Sequence, residues 1–126
     1  MTKHRFAFAL LAAAALSLSL SAYAANVKTG TASTYSADVK AGRALAFNKK
    51  KGNCIACHVI KGAVMPGHVA RPLVGIKKAF PNRSTLERIL YDESLRDPMA
   101  PMPRLGKNHV LTHSEIEKII DFLYTL

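Results

Sequence analysis

Apolar residues recur with helical spacing in three stretches of the chain, and no segment shows a convincing strand alternation. The clearest stretch is C-terminal. Ile116, Ile119, Ile120 and Leu123 fall at i, i+3, i+4 and i+7, and polar residues fill the gaps. Thr112 and Glu115 stand just before this stripe with capping-box spacing, which predicts a helix running to the chain end. A second stripe of Leu86, Ile89, Leu90 and Tyr91 predicts a helix over 85–95, opened by Ser84 with Glu87 in the same spacing. A third, formed by Val39, Ala46 and Phe47, predicts a helix over 37–50, capped by Ser36 and ended by Gly52.

The connecting segments read as loops. Residues 59–83 hold Pro66, Gly67, Pro72, Gly75 and Pro81, a density that leaves room for one short helical piece at Val74–Ala79. Residues 96–108 hold Pro98, Pro101 and Pro103, which excludes a helix interior. The expected fold class is all-α, a small set of helices separated by Pro- and Gly-rich loops, without internal repeats.

The N-terminus follows a different pattern. Lys3 and Arg5 precede the apolar run Phe6–Ser21, and "AYA" at 22–24 places small residues where a signal peptidase reads. The run is shorter than the roughly 20 residues that span a bilayer, so it reads as a secretory signal cleaved after Ala24, not as an anchor. The expected organisation is a signal peptide over 1–24, an irregular lead-in over 25–35 and one domain over 36–126, with a periplasmic location. No other segment is apolar enough for stable membrane insertion. Cleavage takes 24 residues from 126 and leaves 102; it also takes two positive charges from +10 and leaves +8. A basic exported domain of this size suggests an acidic partner surface. Nucleic acid is not an expected partner, since no nucleic-acid motif is present.

The chain has two cysteines, and they lie in "KKKGNCIACHVIKG". Cys54, Cys57 and His58 form C-x-x-C-H, the attachment pattern of a c-type haem. Its chemistry accounts for each position. Two thiols on one turn can add to the two vinyl groups at one edge of a porphyrin, and the next residue then reaches the iron from below the ring. A redox dithiol would need a βαβ context, which is missing, and would leave His58 unexplained. A zinc site would need further ligands, and His68, His109 and His113 do not repeat a zinc-finger spacing. A plain disulfide also leaves the histidine without a role.

A haem iron usually has a second axial partner. The donors available are Met65, Met99, Met102, His68, His109 and His113. Met102 is favoured, because Pro101 and Pro103 hold its backbone extended and present one thioether from a stiff loop. Met99 in "DPMAP" is the nearest rival. Met65 lies close after His58 in sequence and cannot easily reach the opposite face. A histidine, or an open site, is the remaining alternative.

C-x-x-C-H, then "RPLVG", then an M-P loop and a terminal amphipathic helix come in an order that resembles a class I cytochrome c domain. The resemblance implies that the first helix crosses the last. It also implies that a G-P-x-L-x-G segment supplies a proline carbonyl to orient the proximal histidine. Matched here to Pro72, Leu73 and Gly75, it makes Pro72 the acceptor for His58, with Arg71 departing from the usual glycine. Within that family, "KKGNCIACH" followed by "PMPRLGKNHVLTHSEIEKIIDFLYTL" is similar to SoxX, the mono-haem subunit of the SoxAX cytochromes of sulfur-oxidising bacteria. That narrower resemblance implies one covalent haem c ligated by His58 and Met102, and a heterodimer with a SoxA-like cytochrome subunit. It further implies transfer of electrons to a downstream cytochrome acceptor. In such complexes thiosulfate is joined oxidatively to a cysteine of a carrier protein, an L-cysteine S-thiosulfotransferase-type reaction. The catalytic haem belongs to the partner, so this chain would make no bonds itself. A free-standing periplasmic electron shuttle is the alternative, and a haem enzyme or gas sensor with an open sixth site is a third reading. Lys49–Lys51, Lys61, Arg71, Lys77 and Lys78 flank the haem-bearing segments and are the expected docking charges.

Overall fold

A computed structural model describes residues 35–126, so the expected signal peptide and all but the last residue of the expected lead-in lie outside the described residues. Among the described residues four α-helices carry the architecture: α1 over 35–47, α2 at Ile76–Ala79, α3 at Arg83–Asp92 and α4 at His113–Leu123. Two short 3-10 turns, Cys54–Ala56 and Glu93–Leu95, sit beside the regions of chemical interest. There is no strand among the described residues, in agreement with the all-α expectation.

The hydrophobic stripe of α4 is the centre of the core. Ile116, Ile119 and Ile120 are essentially inaccessible, and Phe122 and Leu123 are buried beside them. The helix begins where its local sequence says it should. Thr112 accepts a hydrogen bond from the Glu115 amide, and the Glu115 carboxylate accepts from the Thr112 amide at 2.8 Å. Lys51 adds an ion pair to the same carboxylate at 2.9 Å. The Thr112 amide and the Lys51 ammonium hold the Glu115 carboxyl below its ordinary range.

α1 lies across α4. Phe47 meets the Phe122 ring edge-on at 6.2 Å between centroids, and Ala46 is fully buried. The crossing is close because Gly42 has no side chain. A β-carbon there would stand 1.8 Å from the Lys118 carbonyl oxygen, so the two backbones would have to separate. Gly42→Ala is therefore expected to cost about 3 kcal/mol of stability, at the upper end for overpacked sites. Denaturant unfolding of the haem-loaded protein measures this, and a loss below about 0.5 kcal/mol, the level of neutral surface changes, would contradict the close crossing.

α3 is bound to α4 by charge as well as by Leu86 and Leu90. Arg83 donates to Glu117 and to Asp121, each at 2.7 Å, and to the Glu117 carbonyl at 2.8 Å. The C-terminal residues fasten α2: the Gly75 amide donates to the Leu126 carbonyl at 2.7 Å, and the Tyr124 hydroxyl to the Phe80 carbonyl at 2.9 Å.

Several helix boundaries differ from the sequence expectation. α1 already includes Tyr35 and Ser36, so Ser36 is not its cap. It ends at Phe47 and residues 49–52 turn, so Lys49 and Lys50 of the expected 37–50 helix lie beyond it. α3 starts at Arg83 because Asn82 caps it, its side chain accepting from the Ser84 amide at 3.0 Å; the Ser84–Glu87 box does not form. α4 stops at Leu123, three residues before the chain end.

Candidate haem-binding site

The site is assembled from the turn that follows α1. The Gly52 amide donates back to the Leu45 carbonyl at 3.1 Å, and the Asn53 amide to the Asn48 carbonyl at 3.1 Å. Asn53 takes a left-handed conformation with φ 47°, one of the few non-glycine residues that does so readily. This reverses the chain directly into the cysteine motif. Cys54–Ala56 then form a 3-10 turn, and the His58 amide donates to the Cys54 carbonyl at 2.9 Å. Cys54, Cys57 and His58 thus sit on one tight turn, the arrangement that C-x-x-C-H chemistry needs.

A returning segment clamps this turn. The Gly67 amide donates to the Ile55 carbonyl at 2.8 Å, Ala70 to Cys57 at 3.0 Å and Leu73 to Val59 at 2.9 Å. Gly67 permits the contact, since a β-carbon there would stand 1.9 Å from the Ala56 carbonyl oxygen. The clamp fixes the histidine. His58 Nδ1 lies 2.7 Å from the Arg71 carbonyl oxygen. A carbonyl can only accept, so Nδ1 carries the proton and Nε2 keeps its lone pair for a metal.

The acceptor is Arg71, not Pro72, which corrects the sequence expectation. In P-x-L-x-G the residue whose carbonyl accepts stands two residues before the leucine, and two residues before Leu73 is Arg71. Pro72 has an indirect part. It biases the residue before it toward extended backbone, and that residue is the one whose carbonyl is used.

The setting of Cys54 does not favour a redox thiol. Burial, the largest influence, pushes the Cys54 thiol up to about 11, and the neighbouring Cys57 adds to the rise. A dithiol catalyst needs the opposite shift. The metal-like cluster among the described residues involves neither cysteine. Glu87, His113 and Glu117 place one donor each within 4.8 Å of one another, but Arg83 already holds Glu117, and His113 lies 3.1 Å from Glu87.

The surroundings suit a large flat apolar group. Val64, Met65, Val69 and Val74 on the returning segment, and Leu95 and Met99 on the later loop, are all exposed. So many large apolar side chains on the surface of one small domain imply that something covers them. Of the candidate second ligands, Met102 is half-buried and packs on the core, whereas Met65 and Met99 are 92% and 87% exposed.

The family model Cytochrome c matches residues 39–126. The chain belongs to the cytochrome c family. No curated protein matches it closely enough to count as a relative. This cytochrome carries haem c covalently, and Cys54 and Cys57 fit the attachment motif. Most of the site residues were visible in the sequence through C-x-x-C-H. The Arg71 carbonyl was missed because a backbone acceptor leaves no mark of its own, and only the spacing back from Leu73 indicated it.

The expected docking charges divide. Lys49, Lys50, Lys61, Lys77 and Lys78 are exposed, but Lys51 is occupied by Glu115 and belongs to the fold.

Proposed function

We propose that this cytochrome is the electron-transfer subunit of a SoxAX-type thiosulfate-oxidising complex, exported to the periplasm after signal cleavage and paired with a SoxA-like cytochrome. The observation that carries its electron-transfer role is the bracing of both axial candidates. His58 is oriented by the Arg71 carbonyl, and Met102 is half-buried between two prolines. Haem bound there supplies a one-electron iron couple, and His/Met ligation sets it at a raised potential. Braced ligands keep the site closed to substrates and limit rearrangement when the charge changes.

The narrower assignment rests on the K-K-G-N-C-I-A-C-H run, on the M-P-R-L-G loop leading into the last helix, and on the cysteine count. Oxidative conjugation of thiosulfate to a carrier thiol forms one S–S bond and releases one proton and two electrons. The chain's two cysteines are both committed to haem, so the bond is made elsewhere and this subunit accepts the electrons one at a time. It passes each to a downstream cytochrome. It has no catalytic residue of its own.

The test is reconstitution with a SoxA-like cytochrome and a thiosulfate carrier protein. A stable heterodimer is expected by gel filtration, with thiosulfate-dependent reduction that needs both subunits. Lys49→Glu with Lys50→Glu should slow that reduction several-fold at low salt and less at high salt, where charges are screened. Lys51 is left in place because it pairs with Glu115. Full activity from the partner alone, or no complex, would favour a free-standing electron shuttle.

A further inference from the structure

Asp92 is the most deeply buried charged side chain in the described structure, with none of it accessible. It ends α3, and the chain then makes an excursion through residues 93–103 that includes Met102. The outgoing limb is fastened to it at once. Asp92 Oδ1 accepts from the Ser94 amide at 3.1 Å and from the Ser94 hydroxyl. The returning limb comes back to the same carboxylate. Arg104 Nε lies 3.5 Å from Oδ1, and Lys107 Nζ lies 3.0 Å from Oδ2. The backbone closes the same gap, since the Gly106 and Lys107 amides both donate to the Tyr91 carbonyl at 3.1 Å.

We propose that Asp92 is a positioning residue for Met102, a buried clasp that ties both ends of the methionine loop to the end of α3 and so holds the thioether at the iron. This rests on the reading of Met102 as the distal ligand. Apart from buried Glu93 and the packing of Met102 itself on the core, few contacts hold the loop. Leu95 and Met99 are exposed, and its other bonds are local ones, Glu93 to Arg96 and Ala100 to Asp97. Its prolines make it stiff but do not attach it. Arg104 is two residues from Met102, so a shift of that limb moves the ligand directly.

A buried ion pair adds little net stability compared with apolar packing, but it specifies one arrangement, and removal of either partner is costly. That suits a part whose task is register. The hydroxyl of Ser94 and the ammonium of Lys107 keep the Asp92 carboxyl ionised, holding it below the ordinary carboxylate range. The two cations are about half exposed, so they can be changed without opening the core.

The test uses the haem-loaded protein carrying Arg104→Gln and Lys107→Gln. The Ser94 cap and the core remain in this variant. Two transitions are followed in urea: loss of the Met–Fe(III) charge-transfer band, and loss of helix by circular dichroism. The clasp predicts that the band is lost well before the helix, with on the order of a ten-fold rise in the constant for ligand release, the scale of one charged hydrogen bond. It also predicts a lower reduction potential, and recovery of both in Lys107→Arg with Arg104 retained. If band and helix disappear together at an unchanged potential, Asp92 is only a structural residue and the proposal falls. A band that survives Met102→Ala would remove the ligand reading, and the proposal with it. A band abolished by Met102→Ala but unmoved by the double variant overturns the clasp alone.

Discussion

Cys54→Ala with Cys57→Ala is expected to give a protein with no covalent haem and with most of its tertiary stability lost. The two thiols fit the attachment motif, they are not bonded to each other, and the metal-like cluster among the described residues does not include them. The stability loss follows from the core. Among the described residues it consists of twelve buried apolar side chains, five of them on α4, while Val64, Met65, Val69, Val74, Leu95 and Met99 remain exposed. A tethered group that covers such surface binds only the folded state. Its loss resembles removal of a ligand held at 1,000 times its dissociation constant, about 4 kcal/mol. Intact mass and denaturant unfolding of the purified protein measure the two parts. A variant mass still raised by one haem, or an unchanged unfolding midpoint, would contradict the attachment.

The second large effect is expected at Met102. Met102→Ala should abolish the Met–Fe(III) charge-transfer band and lower the potential by tenths of a volt, a sizeable share of the about 0.8 V that axial ligation spans. Met99→Ala should leave both nearly unchanged. The two methionines differ in setting, one half-buried against the core and the other 87% exposed on the same loop. The reverse result would move the ligand to Met99.

The parts of the fold that were legible in the sequence are the locally determined ones. The α4 stripe and its Thr112–Glu115 cap lie within a few residues of each other, and both are present as read. Ser84 and Glu87 show how the same signal can mislead. Asn82, two residues earlier, takes the cap, and Glu87 is drawn across to His113 on α4. The end of α1 was overrun because lysines are good helix formers, while the reversal at Gly52 and Asn53 is set by backbone bonds to Leu45 and Asn48. At the site, C-x-x-C-H announced itself by residue type and spacing. The Arg71 carbonyl, the Lys51–Glu115 pair and the Asp92 clasp did not, because each joins groups far apart in the chain or uses the backbone.

In the proposed function this cytochrome has both axial positions filled by its own residues, His58 and Met102, and moves electrons without binding a substrate. The most direct measurement is the absorption spectrum of the reduced protein before and after exposure to carbon monoxide, with Met102→Ala alongside. The account predicts no change in the wild-type spectrum and a carbon monoxide complex in the variant. A complex in the wild-type protein would mean an open sixth site, and would contradict the assignment as a closed electron carrier.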